Sequence, residues 1–141
     1  MATVLPKRST KLQAVDLTAM GAGTYTSDEV SIQYGADVLA VQAVFTRAGG
    51  GTTTDVFIQT SLDNGSTWID IIQFALTTTT VTKVSAVRSS IALAANVTPT
   101  DGGLSDNSIL DGLLGDRIRV KTVVVGSYTG ASALTLNAIV N

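Results

Sequence analysis

From Leu12 onward the chain alternates apolar and polar residues in short runs that end at turn residues. Val15, Leu17 and Ala19 alternate before Gly21, and Val30, Ile32 and Tyr34 alternate before Gly35. A period of two puts successive side chains on opposite faces of a pleated strand. Residues 37–47 are apolar at both parities, which predicts a strand buried on both faces, with a short helix as the alternative that periodicity leaves open. The runs 56–60 and 68–74 flank a hairpin. Val81, Lys83 and Val87 continue the pattern, Ile91 and Leu93 suggest one more short strand, and the runs 117–125 and 134–140 close the chain around a turn at 126–130. Residues 96–116 form the one long irregular segment. Short strands with turn signals and no long amphipathic helix predict an all-β fold. The expected form is an antiparallel β-sandwich, jelly-roll-like, or a barrel, as a single domain over residues 12–141. No repeat of about 20 to 50 residues is visible, so a propeller or solenoid is not expected.

Composition supports strands: 21 threonines and 16 valines supply stiff β-branched side chains. A chain of 141 residues can bury a core without covalent staples. Charged residues make up 14%, against about 25% in an ordinary soluble domain, so much of the surface is threonine, serine, glycine and small apolar groups. Such a surface suggests that part of it is covered. With no cysteine and no histidine, thiolate chemistry and the commonest general base and zinc ligand are absent, so neither an enzyme nor a cofactor is expected. A net charge of −2 offers no global attraction for nucleic acid, and no apolar run of about 18 residues exists to span a membrane. The amino end lacks the apolar stretch of a secretory signal, which points to synthesis in a cytoplasm. Residues 1–11 carry Lys7, Arg8 and Lys11 around Pro6 and are expected to form an extended arm. Fully stretched, that arm reaches roughly 36 Å at about 3.3 Å per residue, enough to lie across a neighbouring subunit; a frayed terminus is the alternative.

Three constellations carry possible chemistry. Ser61, Asp63, Gly65 and Trp68 lie in a full match to the Asp-box pattern S-x-D-x-G-x-T-W. In such a turn the carboxylate accepts backbone N–H groups, the glycine supplies a positive φ and the tryptophan packs back over the hairpin. Asp boxes are familiar from sialidase-type propellers, but one copy in a chain this short, without an arginine cluster or a tyrosine nucleophile, reads as a structural staple. Asp101, Asp106, Asp111 and Asp116 recur every five residues on the glycine-rich loop. They could hold Ca²⁺, although the spacing is not that of an EF-hand, or they could cap turns. Leu104, Ile109, Leu110, Leu113 and Leu114 make the same loop apolar enough for one helical turn near 108–114 or for a flap that docks on a partner. Arg117, Arg119 and Lys121 share one face of a strand. That stripe is too short, and too poor in aromatics, for a nucleic-acid platform; it reads as a solvent face or as a rail of ion pairs to an acidic surface.

The hairpin 55–70 with its Asp-box turn, together with residues 114–130 and the alternating carboxy-terminal strand, resembles the small β-sandwich virion proteins of tailed bacteriophages. The resemblance covers about a third of the chain. It implies a structural protein of the virion, made in the host cytoplasm, of the head decoration or cement type. A neck, tail or baseplate component, or a sugar-binding module with Tyr25, Tyr34, Tyr128 and Trp68 as its platform, is the alternative. The implied partners are the major capsid protein and further copies of the chain, a trimer being the favoured oligomer. The expected contact residues are Leu5, Lys7, Arg8 and Lys11 on the arm, Leu104, Ile109, Leu113 and Leu114 on the loop, and Arg117, Arg119 and Lys121 on the strand.

Overall fold

The computed structural model describes residues 3–5 by their backbone alone, and residues 9–33 and 35–141 in full. Two β-sheets pack against each other in an all-β sandwich. Sheet A contains β1 (Thr3–Leu5), β4 (Val30–Ile32), β10 (Arg117–Val125), β7 (Thr53–Ser61) and β8 (Ile69–Leu76) in that order, with β3 (Gly23–Thr26) also paired to β10. Sheet B has the order β2 (Thr10–Asp16), β12 (Ala133–Val140), β5 (Val38–Thr46), β9 (Val81–Arg88). Apart from the parallel pair β1 and β4, every ladder in the two sheets is antiparallel.

The core lies between the sheets. Sheet B contributes Leu39, Val41, Ala43 and Phe45 from β5 and Leu134, Leu136, Ala138 and Val140 from β12; sheet A contributes Val56, Ile58, Ile72, Phe74, Ile118 and Val120 among others. Strand β5 alternates strictly, so the expectation of burial on both faces is corrected: Val38, Ala40 and Val44 stand on the outer side and are only partly covered. The short helix left open for this stretch is replaced by a nine-residue strand.

Four local expectations change. Leu17 and Ala19 do not continue a strand but belong to the helical turn α1 (Leu17–Met20), because the Asp16 carboxylate caps the N–H groups of Thr18 and Ala19 at 3.0 and 3.2 Å. Ile91 and Leu93 lie in irregular structure. The segment 126–130 does not close a hairpin, because β10 and β12 lie in different sheets. Within it β11 (Tyr128–Thr129) pairs with β6 (Gly49–Gly50). The next residue after β6, Gly51, has φ 74° and packs so closely on Tyr128 that an added Cβ would sit 2.2 Å from the ring, which only glycine permits. Finally, the described parts of residues 1–11 pair within the chain: β1 with β4, and Lys11, in β2, opposite Asn137. Lys7 and Arg8 lie outside the described residues, and Leu5 is placed by its backbone only.

Strands β7 and β8 form the expected hairpin, with one bulge. Ile58 faces Ile72 while Gln59 faces Asp70, leaving Ile71 as the extra residue. This sends Ile72 to the core and Asp70 to the outer face, although strict alternation gives both the same side.

Candidate functional site

The outer face of sheet A carries most of the chain's polar chemistry. The register lines up Arg119, Gln59 and Asp70 across β10, β7 and β8, and Lys121, Phe57 and Gln73 in the next row. Gln59, Asp70 and Gln73 are almost wholly buried, at 0%, 1% and 2% exposure, so each needs hydrogen-bond partners. The long loop provides them. Asp70 accepts from the Thr100 hydroxyl at 2.8 Å, from the backbone N–H groups of Gly102 and Gly103 at 2.8 Å, and from that of Leu104 at 3.1 Å. The Gln59 amide donates to Asp70 and to Asp101, and its carbonyl accepts from the Arg119 guanidinium at 2.7 Å. Asp101 also receives Lys121 at 2.9 Å and lies 3.7 Å from Arg119. The Gln59 amide, followed by Lys121 and Arg119, holds the Asp101 carboxyl below its ordinary range.

Further along, Gln73 accepts the Asn107 N–H at 2.6 Å and donates to Asp55 and Asp106. Burial, followed by the like charge of Asp106, pushes the Asp55 carboxyl up. The free edge of β8 is covered as well: the backbone N–H groups of Asp70 and Gln73 donate to the carbonyls of Thr100 and Ser108, that of Leu110 donates to Ile71, and Ile109 bridges to Ile72. An edge left open here would be a site for unwanted strand pairing. The segment leading into the loop is tied down too. Asp37 accepts from Ser89 and Ser90, which lowers its carboxyl, and Asp111 accepts the Arg88 N–H at 2.6 Å.

The Asp-box turn has the expected form. The Ser61 hydroxyl donates to Asp63 at 2.9 Å and accepts the Gly65 N–H at 2.8 Å, and Asp63 accepts the Thr67 N–H at 2.7 Å. These bonds, that of Thr67 foremost, keep the Asp63 carboxyl low. Asn64 and Gly65 take φ of 59° and 88°. Trp68 lies under the Arg119 guanidinium, 4.4 Å from ring centre to charge. Arg117 crosses to Glu29 at 3.3 Å and to the Asn64 carbonyl.

Several expected contact residues therefore acquire internal partners. The stripe of Arg117, Arg119 and Lys121 is a rail of ion pairs, and the acidic groups it meets, Glu29 and Asp101, are the chain's own. The loop forms no helical turn at 108–114, because its backbone bonds go to β8 and, at Gly112, to Arg88 of β9. Leu104 and Leu114 are half-buried, Leu114 against the core. Ile109 stays 45% exposed, and Leu113 lines a shallow apolar groove with Leu62, Ile69, Leu93 and Val97 beside the Asp box. The four loop aspartates diverge to Lys121, Gln73, Arg88 and Arg117. Among the described residues no group of three or more acidic side chains converges as a metal site would require. Of the aromatic rings, Tyr128 is buried edge-on against Phe45, Tyr25 is half-buried with its hydroxyl on the Met20 carbonyl, and Tyr34 lies outside the described residues.

Sequence reasoning missed Gln59, Gln73 and Asn107. The available signal was a glutamine in the middle of each of two apolar strands, where a buried amide demands a partner from elsewhere in the chain. Among the described residues no helix is long and apolar enough to cross a membrane. Fold and site together define an all-β sandwich whose polar sheet face is sealed by its own long loop. Neither the family models nor the curated proteins contain a match to the chain.

Proposed function

We propose that the chain is a structural protein of the tailed-phage virion that decorates the outside of the head and bridges capsomers. The observation that carries this reading is the division of labour on the surface. Carboxylates, amides and basic groups hold the chain's own loop in place, while Leu62, Leu93 and Val97 stay 61%, 40% and 42% exposed around the groove at the Asp-box end. A folded body whose long loop is tied to its own sheet and that exposes apolar side chains beside it suits a part that binds by shape in many copies. The similarity of the Asp-box hairpin to those of phage virion proteins supports the same reading. The major capsid protein is the partner, met by the groove.

Co-sedimentation with expanded empty capsids tests the proposal. The purified chain binds and raises the heat resistance of the shell; Leu62→Asp and Val97→Asp weaken binding while the circular dichroism is unchanged. Absence of binding overturns the proposal, and a copy number of about a dozen per particle places the chain in the neck or baseplate instead.

A further inference from the structure

We infer that residues 91–99 are a cleavage site for an endopeptidase that accepts small aliphatic side chains, and that the cut chain stays one folded body. This stands independently of the virion reading.

From Ile91 to Pro99 the chain carries no charged residue and forms neither strand nor helix. Residues 92–99 belong to the longest exposed run among the described residues, and from 91 to 99 no backbone or side-chain group donates or accepts a hydrogen bond. The two ends are pinned. Asp37 accepts from Ser89 and Ser90 upstream, and Asp70 accepts from the Thr100 hydroxyl downstream. Between these anchors the chain is held by packing alone, with Leu93, Val97 and Pro99 against the shallow groove. Ala94 and Ala95 are exposed and do not line it.

An endopeptidase binds its substrate as an extended strand, through the substrate's backbone N–H and C=O groups. Where those groups are paired in a sheet, a cut first requires local unfolding. In 91–99 they are unpaired, so the segment opens without breaking a hydrogen bond, and exposed stretches of small residues are where folded chains are nicked. Side chains set the specificity. No lysine or arginine occurs from 89 to 116, whereas Ala92, Ala94 and Ala95 offer small aliphatic groups. Hydrolysis after one of these alanines consumes one water. Its oxygen goes to the carbonyl carbon, which becomes a carboxylate, and the nitrogen leaves as a new amino terminus.

The cut does not part the halves, because both contribute to each sheet. Strand β10 lies between β7 and the strands β3 and β4, and β12 lies between β2 and β5. The carboxy-terminal part thus supplies an inner strand to each sheet, and its Ile118, Val120, Leu134 and Leu136, all at 0% exposure, sit in the common core. Asp70 also holds Thr100 and the N–H groups of Gly102, Gly103 and Leu104 across the cut.

Limited digestion of the full chain with elastase and with trypsin tests the inference. Within residues 9–141, elastase makes its first cut between Ala92 and Val97. The rate is at most about a hundredfold below that for a synthetic peptide of residues 88–101, because only the half-exposed Leu93 and Val97 have to leave the groove. The products co-elute in gel filtration at the position of the intact chain and keep its circular dichroism. Trypsin spares Arg88, whose N–H is held by Asp111 and whose C=O is held by Gly112. Ala95→Lys gives trypsin a site that is cut at least about tenfold faster than Arg88, where two hydrogen bonds must break first. A first elastase cut elsewhere within residues 9–141, or no cut under conditions that digest the peptide, overturns the cleavage site. Cutting at Arg88 as fast as at the introduced lysine overturns the argument from unpaired backbone groups. Fragments that separate or unfold overturn the single folded body.

Discussion

The two outer faces of the sandwich are built on the same pleat and differ in almost everything else. Sheet A turns Gln59, Asp70 and Gln73 outward and buries them under residues 98–110, with Arg119 and Lys121 paired to Asp101. Sheet B turns Ala40, Val44, Val84 and Ile139 outward, with charge only at the rim. The difference is one of obligation. Buried amides and carboxylates cost free energy unless bonded, so the cover of sheet A is part of the fold itself. Small apolar and threonine side chains tolerate water one by one, so the outer face of sheet B needs no such cover among the described residues. The chain's sparse charge is thus unevenly placed rather than uniformly thin.

The largest break in this contrast is Asp70→Ala. It strands the N–H groups of Gly102, Gly103 and Leu104 and one Gln59 bond in a closed site. At about 1–3 kcal/mol per unsatisfied buried group, a loss of about 3 kcal/mol or more is expected in urea unfolding, with hydrogen exchange at 100–104 rising to that of an open loop. If exchange there stays protected, the loop is held by something other than Asp70. A smaller effect is expected for Ser61→Ala, which removes the hydroxyl that links the Asp63 carboxylate to the Gly65 N–H. A loss of about 1–2 kcal/mol, with sheet B exchange unchanged, would show that the Asp-box turn belongs to sheet A alone.

How far these faces could be read beforehand depended on bulges. Alternation revealed the hairpin, the inward row of β10 and the sandwich, because period-two burial is written directly in Ile118, Val120 and Val124. The Asp-box turn was legible because its bonds are local. The loop cover was not. Asp70 shares parity with Ile72 and Phe74, and only the extra residue at Ile71 sends it to the opposite face. Likewise Lys11 and Asp16 reach one face through the extra residue at Leu12. Nor could alternation show that the acid opposite Arg119 and Lys121 is Asp101, in a loop whose path is set by contacts far apart in sequence.

Acid separates the carboxylates by sign. Asp37, Asp63 and Asp101 have lowered folded pKa values, so their stabilisation is complete above the unfolded value of about 3.9 and disappears as pH falls through the folded values. Asp55 is raised; its favourable contribution exists below the unfolded value and is lost as pH rises through the folded one, leaving a mild destabilisation at neutral pH. Asp55→Asn retains an acceptor for Gln73 and removes the repulsion from Asp106. It is expected to stabilise the chain at pH 7 by less than about 1 kcal/mol, given solvent screening, and to have no effect near pH 3. An equal gain at both pH values would mean that charge is not the cause.

The smallest effect on the isolated fold belongs to the opposite face. Val84→Glu puts a carboxylate at a position that is already 73% exposed and whose cross-strand neighbour on β5 is the uncharged Gln42. A change within about 0.5 kcal/mol is expected for the monomer, measured at low protein concentration. Strong destabilisation by Val84→Glu even at high dilution would mean that sheet B has a cover within its own chain. The contrast between an obligatory face and a free one would then fail at its simplest point.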